Sequence, residues 1–246
     1  EVNYVAETAV LEAGVRDSEK ISKLNATQKA LAVQYIDGLG RPVQTVQAQA
    51  SPSMEDLVTP MAYDRLGRDS IAYLPYAEAT SSGTYRKEAM LEQGAFYRQP
   101  GNGVATDDHP YAVKVLEASP LGRLLEQGSP GTVWQPKPVD PQRAGGRTVE
   151  HSQRVNGDQE VRLLRMEEGL PVQHGYYAAG QLMVNTTIDE HGNPAEEYTD
   201  KQGKVLLKRR WILQTGGARW LQTRYVYDDY ENLRVVIQPE GMNLYD

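Results

Sequence analysis

The chain has 246 residues and no cysteine, which excludes a disulfide scaffold, a cysteine nucleophile and a zinc finger. Its length fits one large domain or two small ones, at a prior of roughly 150 residues per domain. The formal charge of −7 argues against a nucleic-acid partner, and no apolar run reaches the roughly 20 residues that a membrane-spanning helix needs.

The 15 Tyr against 1 Phe, with 22 Gly and 14 Pro, describe a β-rich chain punctuated by turns. In chain order, the pattern predicts a strand at 3–11 and then a polar stretch. There Ile21, Leu24, Gln28 and Leu31 have helix-like spacing, too short to decide between helix and loop. Strands and hairpins follow over 35–77. Ser81-Ser-Gly-Thr84 reads as a helix start, with Tyr85, Ala89, Glu92 and Phe96 on one face of a short helix near 84–98. Pro100-Gly-Asn-Gly103 stops it. Strands return over 111–127. The Pro- and Gly-rich stretch 128–146 reads as a linker between a region 1–127 and a second hairpin region, 147–246.

A short unit recurs along this path. Its instances are Tyr35-Ile-Asp-Gly-Leu-Gly-Arg41, Tyr63-Asp-Arg-Leu-Gly-Arg68, Ser119-Pro-Leu-Gly-Arg123, Ile188-Asp-Glu-His-Gly-Asn193, Tyr198-Thr-Asp-Lys-Gln-Gly-Lys204 and Tyr227-Asp-Asp-Tyr-Glu-Asn232. Each leads into a strand-like run. The physics is that of a β-hairpin: an Asp bonds its own backbone two residues on and starts the turn, and a Gly takes the φ > 0 position that closes it. Asp37, Gly40, Asp64, Gly67, Gly122, Asp189, Gly192, Gly203 and Asp228 are therefore structural turn residues. Glu231 stands where the last unit should have Gly, which weakens that turn as a Gly-type hairpin. One hairpin cannot bury an apolar face alone, so the units must pair side by side. The fold expected is mostly β: a degenerate array of hairpin repeats forming an antiparallel sheet, with one short helix.

The ordered set of units resembles the tyrosine-aspartate (YD) repeats of RHS-repeat proteins. With Met61-Ala-Tyr-Asp-Arg-Leu-Gly-Arg68, Pro130-Gly-Thr-Val-Trp134 and Tyr225-Val-Tyr-Asp-Asp-Tyr-Glu-Asn-Leu-Arg234, it is similar to the uncharacterised domain that precedes the repeats in many RHS proteins of Gram-negative bacteria. The resemblance implies hairpins wound into a shell that often carries a variable C-terminal toxin. It implies a secreted or cell-surface location. Residue 1 is Glu rather than Met, and the expectation is a processed piece or fragment of a longer chain, after removal of a targeting peptide.

The sequence carries few signals of catalytic or metal chemistry. His109, His151, His174 and His191 have no partner at i+3 or i+4, so no helical metal pair exists. Asp189, Asn193 and Glu197 fit a calcium loop only in part, and turn chemistry is the better reading. Ser129 lacks the spacing of a nucleophile elbow, and Gln202-Gly-Lys-Val205 lacks the earlier Gly and the Ser/Thr of a phosphate loop. No metal, cofactor or catalytic residue is expected. Two functions of different class stay open. One is a non-catalytic scaffold that pairs with further repeats of its own full-length chain or with an associated envelope or secretion protein. The other is a glycan-binding or glycan-cleaving β-domain using paired carboxylates, with Trp134, Trp211 and Trp220 as stacking platforms. The segment 225–238, with Tyr225 and Tyr227, reads as an exposed strand edge that calls for a further strand.

Overall fold

The computed structural model describes residues 2–80, 82–137, 146–214 and 217–241. It divides into two compact units: residues up to 116 together with 127–146, and residues 117–126 together with those from 147 onward. Both are built from antiparallel strands, as the hairpin units predict.

The first unit contains β1 (Asn3–Val10), α1 (Ser18–Ser22), β2 (Lys29–Ile36), β3 (Pro42–Ala48), β4 (Asp56–Tyr63), β5 (Asp69–Tyr73), β6 (Tyr76–Glu78), α2 (Ala89–Arg98) and β7 (Tyr111–Leu116). Strands β1 to β4 pair in sequence order, then β5 and β7, while β6 pairs with the first half of β4. Register sets the core. Val33, Val46 and Val58 are direct cross-strand partners on β2, β3 and β4, and all three are buried together with Tyr35, Tyr76, Ala89 and Tyr97. Helix α2 closes this face, with Gln93 Nε2 donating to the carbonyls of Leu74 and Pro110 and the Tyr97 hydroxyl to that of Pro75.

The helix begins later than the spacing predicts. Residues 84–88 are not helical, because the Gln44 side chain uses both backbone groups of Arg86: its Oε1 accepts from the Arg86 N–H at 2.8 Å and its Nε2 donates to the Arg86 carbonyl at 3.0 Å. The buried face is Ala89, Gln93, Gly94 and Tyr97, shifted from the expected stripe of Tyr85, Ala89, Glu92 and Phe96. The earlier stripe of Ile21, Leu24, Gln28 and Leu31 divides among three elements. Asp17 caps the one-turn helix α1, an Asn25 turn follows, and β2 begins at Lys29.

The second unit contains β8 (Leu124–Gly128), which crosses its boundary, then β9 (Val149–Val155), β10 (Arg162–Glu167), β11 (Leu170–Tyr176), β12 (Met183–Ile188), β13 (Pro194–Thr199), β14 (Val205–Gln214), β15 (Gly217–Tyr227) and β16 (Leu233–Ile237). Strands β8, β9 and β12 to β16 form one sheet in that order, and β10–β11 is a separate hairpin. That hairpin is an insert between two directly paired strands, β9 and β12. Its apolar residues fold back onto the sheet. Val161 and Tyr177 join Leu182, Val184, Tyr198 and Leu207, while Leu164 and Met166 meet Val226 and Ile237. Buried Asn156 clamps the base of the insert. Its Oδ1 accepts from the Leu182 N–H at 2.7 Å and its Nδ2 donates to the Ala178 carbonyl at 2.9 Å.

Of the stretch at 128–146, residues 128–137 and Gly146 group with the first unit, and Gln135 Nε2 donates there to the carbonyls of Tyr111 and Ser129. Residues 138–145 of the expected linker lie outside the described residues.

Candidate functional site

Five Asp turns share one bonding pattern. In the turn at 37–41, the Asp37 N–H donates to the Arg41 carbonyl and the Gly40 N–H to the Asp37 carbonyl. Asp37 Oδ1 accepts from the N–H groups of Leu39 and Arg41, and Oδ2 accepts from the Arg41 guanidinium. The turns starting at Asp64, Asp189, Asp200 and Asp228 repeat this backbone pattern and the two Oδ1 bonds, with Arg68, Asn193, Lys204 and Asn232 in the place of Arg41. This is a three-residue hairpin loop whose third position is left-handed. Gly40, Gly67, Gly122, Gly192 and Gly203 all have positive φ. The backbone N–H of the residue four on is the main reason that the Asp37, Asp64, Asp189 and Asp228 carboxyls titrate below their ordinary range.

Two turns depart from the pattern in composition. At 119–123 the Ser119 hydroxyl accepts from the Leu121 N–H, and Glu117 takes over the guanidinium of Arg123. At 228–232 the turn forms without Gly, which corrects the weakening expected there. Glu231 adopts φ +67, its N–H donates to the Asp228 carbonyl at 2.9 Å, and its carboxylate meets Lys204 Nζ at 3.0 Å. At Gly67, φ is +75 and an added Cβ would stand 2.9 Å from an Arg41 nitrogen. Gly67→Val is expected to cost about 1 kcal/mol or more through backbone strain. A urea titration checks it, and a neutral result would contradict the turn geometry.

Neighbouring turns at the same sheet end are locked together. In the first unit the Tyr63 hydroxyl, just before Asp64, donates to the Pro42 carbonyl at 2.7 Å, and the Arg41 guanidinium carbon sits 4.4 Å over the Tyr63 ring. In the second unit the Tyr227 hydroxyl, just before Asp228, donates to the Val205 carbonyl at 3.0 Å, and Lys204 Nζ lies 5.9 Å from the Tyr227 ring. The tyrosines of Tyr63-Asp64 and Tyr227-Asp228 thus each read the turn before them.

One charged cluster lies outside the turns, on the insert-covered face of the second unit. The Tyr198 hydroxyl lies 2.6 Å from Glu160 Oε1 and 2.8 Å from Glu196 Oε2. Arg154 donates to both oxygens of Glu160, at 2.8 and 2.5 Å, and Arg209 bonds both glutamates. Two carboxylates and two guanidinium groups balance. The Arg154 bonds are the largest influence on Glu160 and hold its carboxyl down at about 2. Burial works to raise Glu196, but the bonds from Arg209 and Tyr198 outweigh it, and it too titrates low. A glycosidase acid needs a raised carboxyl pKa, and this pair is shifted the other way.

The expected aromatic platforms are engaged by neighbours. Trp211 and Trp220 pack edge to face at 5.4 Å, and Arg209 lies 4.6 Å over Trp220. Trp134 is half-buried in a 3-10 turn (Thr132–Trp134), away from the other two in sequence and in the other unit. Tyr225 is half-buried on β15, across from Val236 on β16. No group of three or more metal-ligating side chains occurs among the described residues, nor does any helix long and apolar enough to cross a membrane. The sequence reading missed Glu160, Arg154 and Asn156, which carry no turn signature. Glu196 and Arg209 face each other across β13 and β14, a pairing visible only once the register is known.

These elements define an array of Asp-capped hairpins in which two tyrosines, Tyr63 and Tyr227, grip a neighbouring turn. A family model matches residues 8–146, and the chain belongs to that family, described as "Domain of unknown function (DUF6443)". No curated protein matches the chain. Among solved structures, one described as "Crystal Structure of TcdB2-TccC3-TEV" is similar at 16% identity and a TM-score of 0.50, over 88% of this chain and 9% of that one. "Crystal Structure of TcdB2-TccC3" is similar at 15% identity and a TM-score of 0.49, over the same shares. The chain therefore spans about 9% of the length of the structures it matches.

Proposed function

We propose that the chain is a non-catalytic structural module of an RHS-type protein, on the N-terminal side of the repeats, that scaffolds or encases the rest of that protein. The observation that carries this reading is the pair of turn-to-turn locks, Arg41–Tyr63–Pro42 and Lys204–Tyr227–Val205. They spend the motif residues on holding hairpin to hairpin, which is what a laterally growing sheet needs. The fold likeness to TcdB2-TccC3-TEV supports the same architecture. The partners are further repeats of the full-length chain or an associated envelope or secretion protein, and the location is secreted or cell-surface. What the module encases is the C-terminal part, a variable toxin in the family that the repeats resemble.

A glycan-cleaving role is disfavoured at Glu160 and Glu196, whose carboxylates are taken up by Arg154, Arg209 and Tyr198. Hydrogen exchange tests the scaffold reading. The segment Leu233–Ile237 is expected to exchange more slowly in the full-length protein than in the 246-residue chain. Equal rates would overturn the reading, as would turnover of a glycan that is lost on changing one carboxylate.

A further inference from the structure

The outer edge of β16 repeats a junction that the fold already uses twice. After the turn at 37–41, β3 opens with Pro42, whose carbonyl accepts from Tyr63. After the turn at 200–204, β14 opens with Val205, whose carbonyl accepts from Tyr227. In both cases the Tyr ends the next antiparallel strand and directly precedes the Asp of the next turn. The turn at 228–232 has the same bonds and opens β16 with Leu233. The Leu233 carbonyl therefore holds the place of Pro42 and Val205.

Among the described residues β16 pairs on one side only, with β15. Its outer side carries the other half of the junction. Asn232 stands at the turn position of Arg41 and Lys204 and brings no charge. Arg234, the bulged residue two positions on, lies 3.8 Å from Asp228 with its side chain 60% exposed. Leu233 and Val236 are 49% and 41% exposed, whereas Leu207 on the doubly paired β14 is buried. Strand β1 is also an edge, but it follows no Asp turn and offers no such carbonyl.

We propose that the β16 edge is a docking site for an antiparallel strand that ends in a Tyr-Asp pair, supplied by a further repeat of the same protein. The tyrosine hydroxyl donates to the Leu233 carbonyl, and its ring packs under Arg234. This rests on the scaffold reading and adds to it the chemistry by which the next repeat is recognised.

The probe is a synthetic peptide with this chain's own sequence 57–68, which contains Tyr63-Asp64, added to the isotope-labelled 246-residue protein. Saturable amide shifts confined to Leu233–Ile237 and its flanks are expected. A Tyr63→Phe peptide should bind about fivefold more weakly, the worth of one net hydrogen bond. Arg234→Ala in the protein should weaken the parent peptide about three- to fivefold, as for loss of an exposed cation–π contact. Circular dichroism confirms that the variant is folded. No shifts on β16, shifts on β1 instead, equal binding of the Phe peptide, or pairing of β16 with a second copy of the chain would each overturn the proposal. If full-length protein protects Leu233–Ile237 while the Phe peptide binds as well as the parent, this inference fails and the scaffold reading stands.

Discussion

Glu160→Ala is expected to destabilise the second unit by about 1–3 kcal/mol, the cost of leaving hydrogen-bonded groups without their partner in a network whose Arg154 side chain is 41% exposed. The substitution leaves Arg154 and Arg209 facing one carboxylate instead of two and removes the acceptor for the Gly157 N–H. It also releases the loop that holds the β10–β11 insert against the sheet. The same network fixes a pH dependence. The folded Glu160 carboxyl titrates at about 2 against an ordinary 4.5. Its contribution is therefore complete above the unfolded value and is lost as pH falls from about 4.5 toward 2. Urea midpoints measured between pH 6 and 2 check both points. A flat profile in the wild-type chain, or a Glu160→Ala loss under 1 kcal/mol, would show that the network is decorative.

In the first unit the comparable residue is Asp56, which is fully buried. Its Oδ1 accepts from the Gln49 N–H at 3.0 Å. Its Oδ2 accepts from the N–H groups of Ser82 and Gly83, at 3.1 and 2.8 Å, and from the Thr80 hydroxyl. The Gly83 carbonyl in turn accepts from Tyr35, a core residue. Asp56→Ala strands three backbone donors at once, and a loss of about 3 kcal/mol or more is expected. Asp56→Asn keeps the shape but turns an NH2 group toward donors, and should fall between Ala and wild type. Equilibrium unfolding followed by tyrosine fluorescence reads both. An Asn variant less stable than the Ala variant would mean that the carboxylate's bonds do not set the cost.

The turns were legible in the sequence because their chemistry is local. Asp, Gly and the following cation lie within five residues, so 37–41 and 64–68 announce themselves. The turn at 228–232 shows where that rule is too strict: the Asp228 bonds and the Lys204 contact hold Glu231 in a left-handed conformation that Gly would adopt freely. What was not legible depends on distant residues. The start of α2 is set by Gln44, 42 positions before Arg86. The insert 157–181 reads as ordinary strands, and only the direct pairing of β9 with β12 reveals it as a cover. Glu160 and Tyr198 meet across 38 positions. The Tyr-Asp pair was visible as a motif, but that its tyrosine serves the preceding turn rather than its own follows only from the register of β3 with β4.

The motif residues hold one repeat to the next. A double-mutant cycle on Arg41→Ala and Tyr63→Leu measures this directly, since the cycle cancels the Arg41–Asp37 bond that the first substitution also removes. A coupling of about 0.5–1 kcal/mol is predicted from the cation over the ring. Strict additivity of the two losses would contradict the claim.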